Sequence, residues 1–339
     1  MLYVVLFFLA VSLLLYVLLA GADFGAGIVE LFSSKTSRDL TKKTVYRVIG
    51  PVWEANHIWI IIVVVVLWVG FPGFYNILMV YLHIPLTLIL LGITLRGVAF
   101  VFRHYDAYKD KTQLLYDWMF RISSLLTPIF LGVTFSGLIS GNLVLTEDLA
   151  TTTFYTAYIS SWFNLFSFFV GLFFAGICAF LASILLIGET DTTERPLYVA
   201  KARISTISVI VLGFIVLCIG YFQNKVFVMN FVESPYSIFL IALSAVIILP
   251  LLKSIKNQSR IKTRALAGIQ VLLILSAAFS SLFPELVITK DGSVNIMNTV
   301  ATNEVIKVLG IALIIGGAII LPGVFHLMKS FKMIKLLER

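Results

Sequence analysis

Charge is what this chain has least of: Asp, Glu, Lys and Arg make up only 12% of its 339 residues, while 60% are hydrophobic. A soluble globular domain carries about a quarter charged residues, so that class is excluded and a polytopic membrane protein remains. Cysteine is nearly absent. Cys178 and Cys218 both fall inside apolar runs, away from any CxxC or Cys/His metal spacing, which reads as two buried, inert thiols. Phosphate-binding Gly loops, HExxH zinc pairs and Ser/His/Asp sets are missing as well. The first residues lack the basic region and small-residue cleavage site of a secretory signal, so they are expected to remain as a spanning helix.

What is present is a series of long apolar runs. A spanning helix needs roughly 20 apolar residues, and nine stretches qualify: Leu2 to Leu31, Val52 to Val69, Phe74 to Phe102, Trp118 to Ile139, Tyr158 to Ile187, Ile204 to Phe222, Tyr236 to Leu252, Ala265 to Phe283 and Val305 to Met328. The formal net charge of +8 raises a nucleic-acid partner, but the Lys and Arg sit in short connections between spans, where they encode orientation instead. Lys35 to Arg47 follow the first span, Arg103 to Lys111 the third, Arg195 to Arg203 the fifth and Lys253 to Arg264 the seventh, and Lys329 to Arg339 close the chain. The intervening loops are neutral, acidic or balanced. The alternation predicts one integral membrane domain over residues 1–339, with the amino terminus outside and the carboxyl terminus in the cytoplasm.

Ionisable residues inside a bilayer cost a few kcal/mol unless paired, hydrated or neutralised, and are functional candidates for that reason. The first span carries Asp23 within Gly21-Ala-Asp-Phe-Gly-Ala-Gly27, roughly 12 Å from the end near Leu31 at about 1.5 Å per residue. Gly21, Gly25 and Gly27 read as helix-packing positions, because small residues let backbones approach. The second span opens Gly50-Pro-Val-Trp-Glu-Ala-Asn-His-Ile-Trp59, which puts Glu54 and His57 on one helix face at i and i+3. Trp53 and Trp59 also suit interfacial anchors. Near the end of the third span, Arg96 and Arg103 share a face, seven residues apart. Arg103 reads as an interfacial, snorkelling residue, and Arg96 lies deeper and needs a partner. Counted depths place Arg96 level with Asp23, so the two are expected to approach one another. Acid, acid, imidazole and guanidinium in one half of the membrane describe a compensated ionic cluster or a proton path. Two histidines within spans, His83 and His326, are weak grounds for haem ligation.

These same residues carry a family resemblance. Gly21 to Gly27, Gly50 to Trp59, Phe71-Pro72 and Arg96-Gly-Val-Ala-Phe100 followed by Arg103 resemble subunit II of the cytochrome bd quinol oxidases. Trp162-Phe163, Gly171, Gly188-Glu-Thr190, Ala202-Arg203 and Ser281-Leu-Phe-Pro284 support it. The typical second-helix pattern is Pro-Val-Trp-Asp-Gly-Asn-Glu-Val-Trp; here Glu54 replaces the usual Asp and His57 stands where Glu is common. The resemblance implies an all-α polytopic fold of nine transmembrane helices, arranged as two four-helix bundles plus one peripheral helix. It implies no catalytic or metal-ligating residue in this chain, and haem b and haem d in a partner, subunit I. Asp23, Glu54 and His57 would form a cytoplasmic proton path for oxygen reduction, with Arg96 and Arg103 compensating charge. Quinol is the implied substrate of a complex in the bacterial or archaeal cytoplasmic membrane, with membrane lipid around it and no nucleic acid. Relatives also allow a small accessory subunit and a structural quinone. The competing reading is a proton-coupled secondary transporter that works without a haem partner. A third is a purely structural assembly subunit.

Overall fold

The computed structural model describes residues 1–50, 53–105, 111–145, 152–190 and 194–330, with the backbone alone at 36, 54, 104, 105, 325 and 327–330. Eight helices are long and apolar enough to cross a membrane, or nine if a bent pair counts as one further span. In chain order the helices are α1 (Leu2–Leu31), α2 (Lys35–Ile49), α3 (Trp53–Asn56), α4 (Ile58–Gly70), α5 (Pro72–Tyr81), α6 (His83–Tyr105) and α7 (Thr112–Ile139). They continue as α8 (Phe154–Tyr158), α9 (Leu165–Glu189), α10 (Arg195–Phe222), α11 (Val226–Glu233), α12 (Pro235–Lys256), α13 (Arg260–Leu282) and α14 (Asn303–Ser330). This is an all-α polytopic membrane protein. Leucines, isoleucines and phenylalanines lie exposed along the outward faces, among them Leu90, Phe214, Leu249 and Ile319, as a lipid-facing surface requires.

Helix α9 is the axis of the bundle, packed by α1, α7 and α10. With no hydrophobic drive between helices inside lipid, close packing falls to small residues. A Cβ built on Gly25 of α1 would collide with the backbone carbonyl of Cys178 on α9. Gly132 of α7 and Gly171 of α9 face each other in the same way: a Cβ on Gly132 would lie 2.8 Å from the Gly171 Cα. α7 also packs on α1 and, most extensively, on α6. It is therefore the wall between α1 and α6.

Two expected spans are cut differently by the fold. The run from Phe74 to Phe102 is not one helix: it breaks at Leu82, between α5 and α6, and α5 in turn meets α4 at an angle of 114° across Phe71. Pro72 begins α5 and Pro85 lies in the first turn of α6. Proline is tolerated at both places because first-turn amides have no partner inside the helix. The bend is fixed by Phe71, which is fully buried, and by the Ala301 amide, which donates to the Gly70 carbonyl at 2.9 Å. Similarly, the fifth span starts at Leu165, not near Tyr158, because the Asn164 side chain caps it by accepting from the Ser167 amide at 2.9 Å.

The basic connections meet at one end of the bundle. There Arg47 donates to the Glu189 carbonyl, Arg264 to the Glu189 carboxylate, Lys42 to Asp117, and Lys201 to Ser33 and Thr41. The opposite end carries a two-stranded antiparallel ribbon, Val287–Ile288 with Ser293–Val294, and a 3-10 turn at Ile296–Thr299.

Candidate functional site

Asp23 lies on α1 with no exposed surface, and Arg96 of α6, 2% exposed, reaches it past α7. The pair is bidentate: Arg96 Nη1 donates to Asp23 Oδ2 and Nη2 to Oδ1, each at 2.7 Å. Nη2 also donates to the Asp23 backbone carbonyl at 2.9 Å, and Nε to Ser124 Oγ of α7 at 3.0 Å. Every nitrogen of the guanidinium is used. Its flat faces are engaged as well, by Phe24 at 5.3 Å and Phe120 at 4.9 Å from the ring centroids. Gly27 makes the bond to Ser124 possible: a Cβ there would collide with the Ser124 side chain. Gly27 therefore serves the ion pair as well as the helix packing.

His57 is the third member. It occupies the turn that separates α3 from α4, and its Nε2 lies 3.6 Å from Asp23 Oδ2. The ring is flanked by Tyr16 and Phe24, with centroids 6.2 and 5.6 Å away. Its Nδ1 is buried and has no hydrogen-bond partner, as are the Tyr16 hydroxyl and the Trp59 indole nitrogen. Tyr16, Phe24 and Trp59 belong to one packed cluster with Cys178. Buried polar atoms without protein partners mark places where ordered water normally enters. The Glu54 backbone falls in α3; its side chain lies outside the described residues.

One turn pair further along the same two helices the arrangement repeats. Arg103 Nη2 donates to both oxygens of Glu30, at 2.9 and 3.0 Å. In both pairs the partners are 73 residues apart. An unchanged offset is possible only when α1 and α6 run in the same direction, as first and third spans must. Arg103 Nε also lies 3.1 Å from Asp117 Oδ1, which accepts from Lys42 Nζ at 2.6 Å, and Arg121 Nε lies 4.0 Å from Glu30. Glu30 and Arg103 are 1% and 6% exposed, which overturns the snorkelling reading of Arg103: its head group is buried on a carboxylate. Sequence reasoning missed Glu30 because it sits at the end of an apolar span, next to a basic loop. The signal was the seven-residue spacing from Asp23 to Glu30, which matches that from Arg96 to Arg103.

Comparison with known proteins gives this arrangement a family. Residues 1–331 match the family described as cytochrome bd terminal oxidase subunit II. The chain belongs to that family. It is 26% identical over 316 residues to the cytochrome bd ubiquinol oxidase subunit 2 of Bacillus subtilis strain 168, covering 91% of this chain and 89% of that one. A shorter match, 30% identical over 102 residues and 30% of this chain, is to a putative cytochrome bd menaquinol oxidase subunit II of the same organism. Among solved structures, a chain from the bd oxidase of Geobacillus thermodenitrificans superposes with a TM-score of 0.76 at 16% identity, over 97% of this chain and 98% of that one. That likeness confirms the fold.

Haem is the group the family name implies, and His57 and His83 are not arranged to ligate it. His57 is enclosed between two aromatic rings with Nε2 turned to Asp23. The Nδ1 of His83 lies 2.9 Å from the Val80 carbonyl, and the ring packs edge-on against Tyr158. Among the described residues, no three His, Cys, Asp or Glu side chains gather as metal ligands do.

Proposed function

We propose that this chain is the haem-free subunit II of a quinol:oxygen oxidoreductase, paired with a haem-bearing subunit I, and that it supplies protons from the cytoplasm for the reduction of oxygen to water. It spans the bacterial or archaeal cytoplasmic membrane as one integral domain, amino terminus outside and carboxyl terminus inside. The observation that carries this reading is the set of Asp23, His57 and Arg96 inside the apolar bundle, toward the end where the basic loops gather. With that end in the cytoplasm, Glu54 stands about one helical turn below the surface. A proton would enter there and pass to His57 beside Asp23, while quinol oxidation on the other side releases protons outside. Opposite-side uptake and release make turnover electrogenic.

Haem b and haem d supply the oxygen chemistry from the partner subunit. This chain's residues hold and deliver protons.

The test is turnover of the purified two-subunit complex carrying Glu54→Gln. We expect proton uptake to fall by about two orders of magnitude, the lower range for loss of a positioned proton-transfer group, with haem spectra unchanged. Wild-type turnover with intact spectra would remove Glu54 from the path. A colourless, stable protein purified without a haem-bearing subunit would favour the transporter.

A further inference from the structure

Resting on the proton-path reading, we propose that His57 is the residue that holds the proton in transit and that Asp23 is a fixed anion, not a carrier. The two roles separate on geometry. Protonating either oxygen of Asp23 would remove the negative charge that makes both 2.7 Å bonds to Arg96 charge-assisted bonds of the strong class, and would leave the buried guanidinium without a counter-ion. Arg96 is held in turn by Ser124 and between Phe24 and Phe120. It cannot follow the proton.

His57 is built the other way. Among the described residues its one ionic contact is Asp23 Oδ2 at 3.6 Å, and its Nδ1 is unpartnered. The ring stands at the turn between α3 and α4, where the backbone leaves the helical ladder. The groups around it are Asp23 and Tyr16 from α1, Arg96 from α6 beyond Asp23, and Cys178 of α9 in the adjoining cluster. Glu54, one turn earlier, is the remaining titratable group on its own segment. Asp23 and Arg96 form a neutral pair, so a charge appearing on the ring adds to that pair, next to a carboxylate oxygen.

The step balances simply. In the resting state Nε2–H faces Asp23 and Nδ1 is unprotonated. Nδ1 takes one proton from the Glu54 side through water, giving an imidazolium whose charge is countered by Asp23. Nδ1 then gives that proton to a second water molecule, which restores the neutral ring. Asp23 and Arg96 are unchanged throughout.

The experiment uses the assembled complex in liposomes, following quinol oxidation and proton uptake against pH in wild type, His57→Gln, His57→Glu, Asp23→Asn and Glu54→Gln. His57→Gln should lower uptake at least about tenfold with unaltered haem spectra. His57→Glu should recover most of it, with the pH profile displaced toward the carboxylate range. In redox-linked infrared difference spectra the wild type should show imidazole bands, and no protonated-carboxyl band should be lost in Asp23→Asn. Near-wild-type His57→Gln beside an inactive Glu54→Gln would overturn the relay and leave the path standing. Wild-type rates in both variants would overturn the path itself. A loss in His57→Gln that His57→Glu does not recover would make the ring structural, and a carboxyl band that disappears in Asp23→Asn would make Asp23 the carrier. Either result sinks the proposal.

Discussion

Arg96 and Arg103 lie over the same ring, that of Phe120, with guanidinium carbons 4.9 and 4.5 Å from its centroid. Phe120 comes from α7, the helix between the two that the ion pairs connect, and it is fully buried. The ring thus spaces two cations that would otherwise share a low-dielectric interior. Its negative face also offsets part of their desolvation, by about 2 kcal/mol for a buried cation–π contact.

Phe120→Leu keeps an apolar side chain but removes that face. It should destabilise the complex by about 2–4 kcal/mol, combining the lost aromatic volume with the lost cation–π contacts. Thermal melting of the purified complex measures it. Phe120→Trp, which keeps a π face, should lower the melting point by overpacking alone. If Leu were better tolerated than Trp, the ring would be only a filler.

Arg96→Leu leaves Asp23 buried with no cation, a loss of about 3–5 kcal/mol by analogy with other broken buried pairs. Assembly of the complex should fail or weaken. Adding Asp23→Asn removes the stranded charge and should recover assembled, spectrally normal complex, without restoring turnover because His57 has lost its counter-charge. Arg96→Lys should be intermediate, since an ammonium cannot bind both carboxylate oxygens in the planar fork geometry. A double variant no better assembled than Arg96→Leu alone would show that the guanidinium matters for packing more than for charge.

The lower pair should be more forgiving. Arg103→Leu strands Glu30, but Arg121 stands 4.0 Å away and can move onto it. We expect a smaller loss of assembly than for Arg96→Leu, and the loss should deepen when Arg121→Leu is combined with it. Yields of co-purified complex for the two singles and the double test this. Equal losses for Arg96→Leu and Arg103→Leu would show that Arg121 does not compensate.

The sequence made the apolar spans and the basic alternation legible because bilayer thickness and loop charge act locally. Asp23 and Arg96 could be paired by counting depth along two helices, since one rise per residue applies to both. Glu30 escaped that count: a carboxylate in the last turn before Lys35 reads as solvated. Only packing shows α7 closing over it, with Phe120 fully buried and Ser124 against α1. The bend at Phe71 was equally hidden. The apolar run continues through Pro72, and it is contact with the distant loop at Ala301 that turns the chain.

The three glycines around Asp23 should separate by what a methyl group would strike. At Gly21 it would lie 3.3 Å from Leu181 Cδ1, the far end of a flexible side chain, so Gly21→Ala should assemble close to wild type. At Gly25 it would collide with the Cys178 backbone. That carbonyl belongs to the central helix and cannot turn aside, so α1 must lift off α9; Gly25→Ala should exceed the usual 1–3 kcal/mol or so of overpacking and block assembly. Gly27→Ala should fall between, because the obstacle is the Ser124 side chain, and pushing Ser124 away removes the Nε contact of Arg96. Gly27→Ala with Ser124→Gly opens the space again and should recover assembly while leaving Arg96 one bond short, visible as turnover below wild type at normal haem content. If all three alanines assembled equally, the α1 crossing would be looser than these contacts require, and the small residues would owe nothing to the ion pair between them.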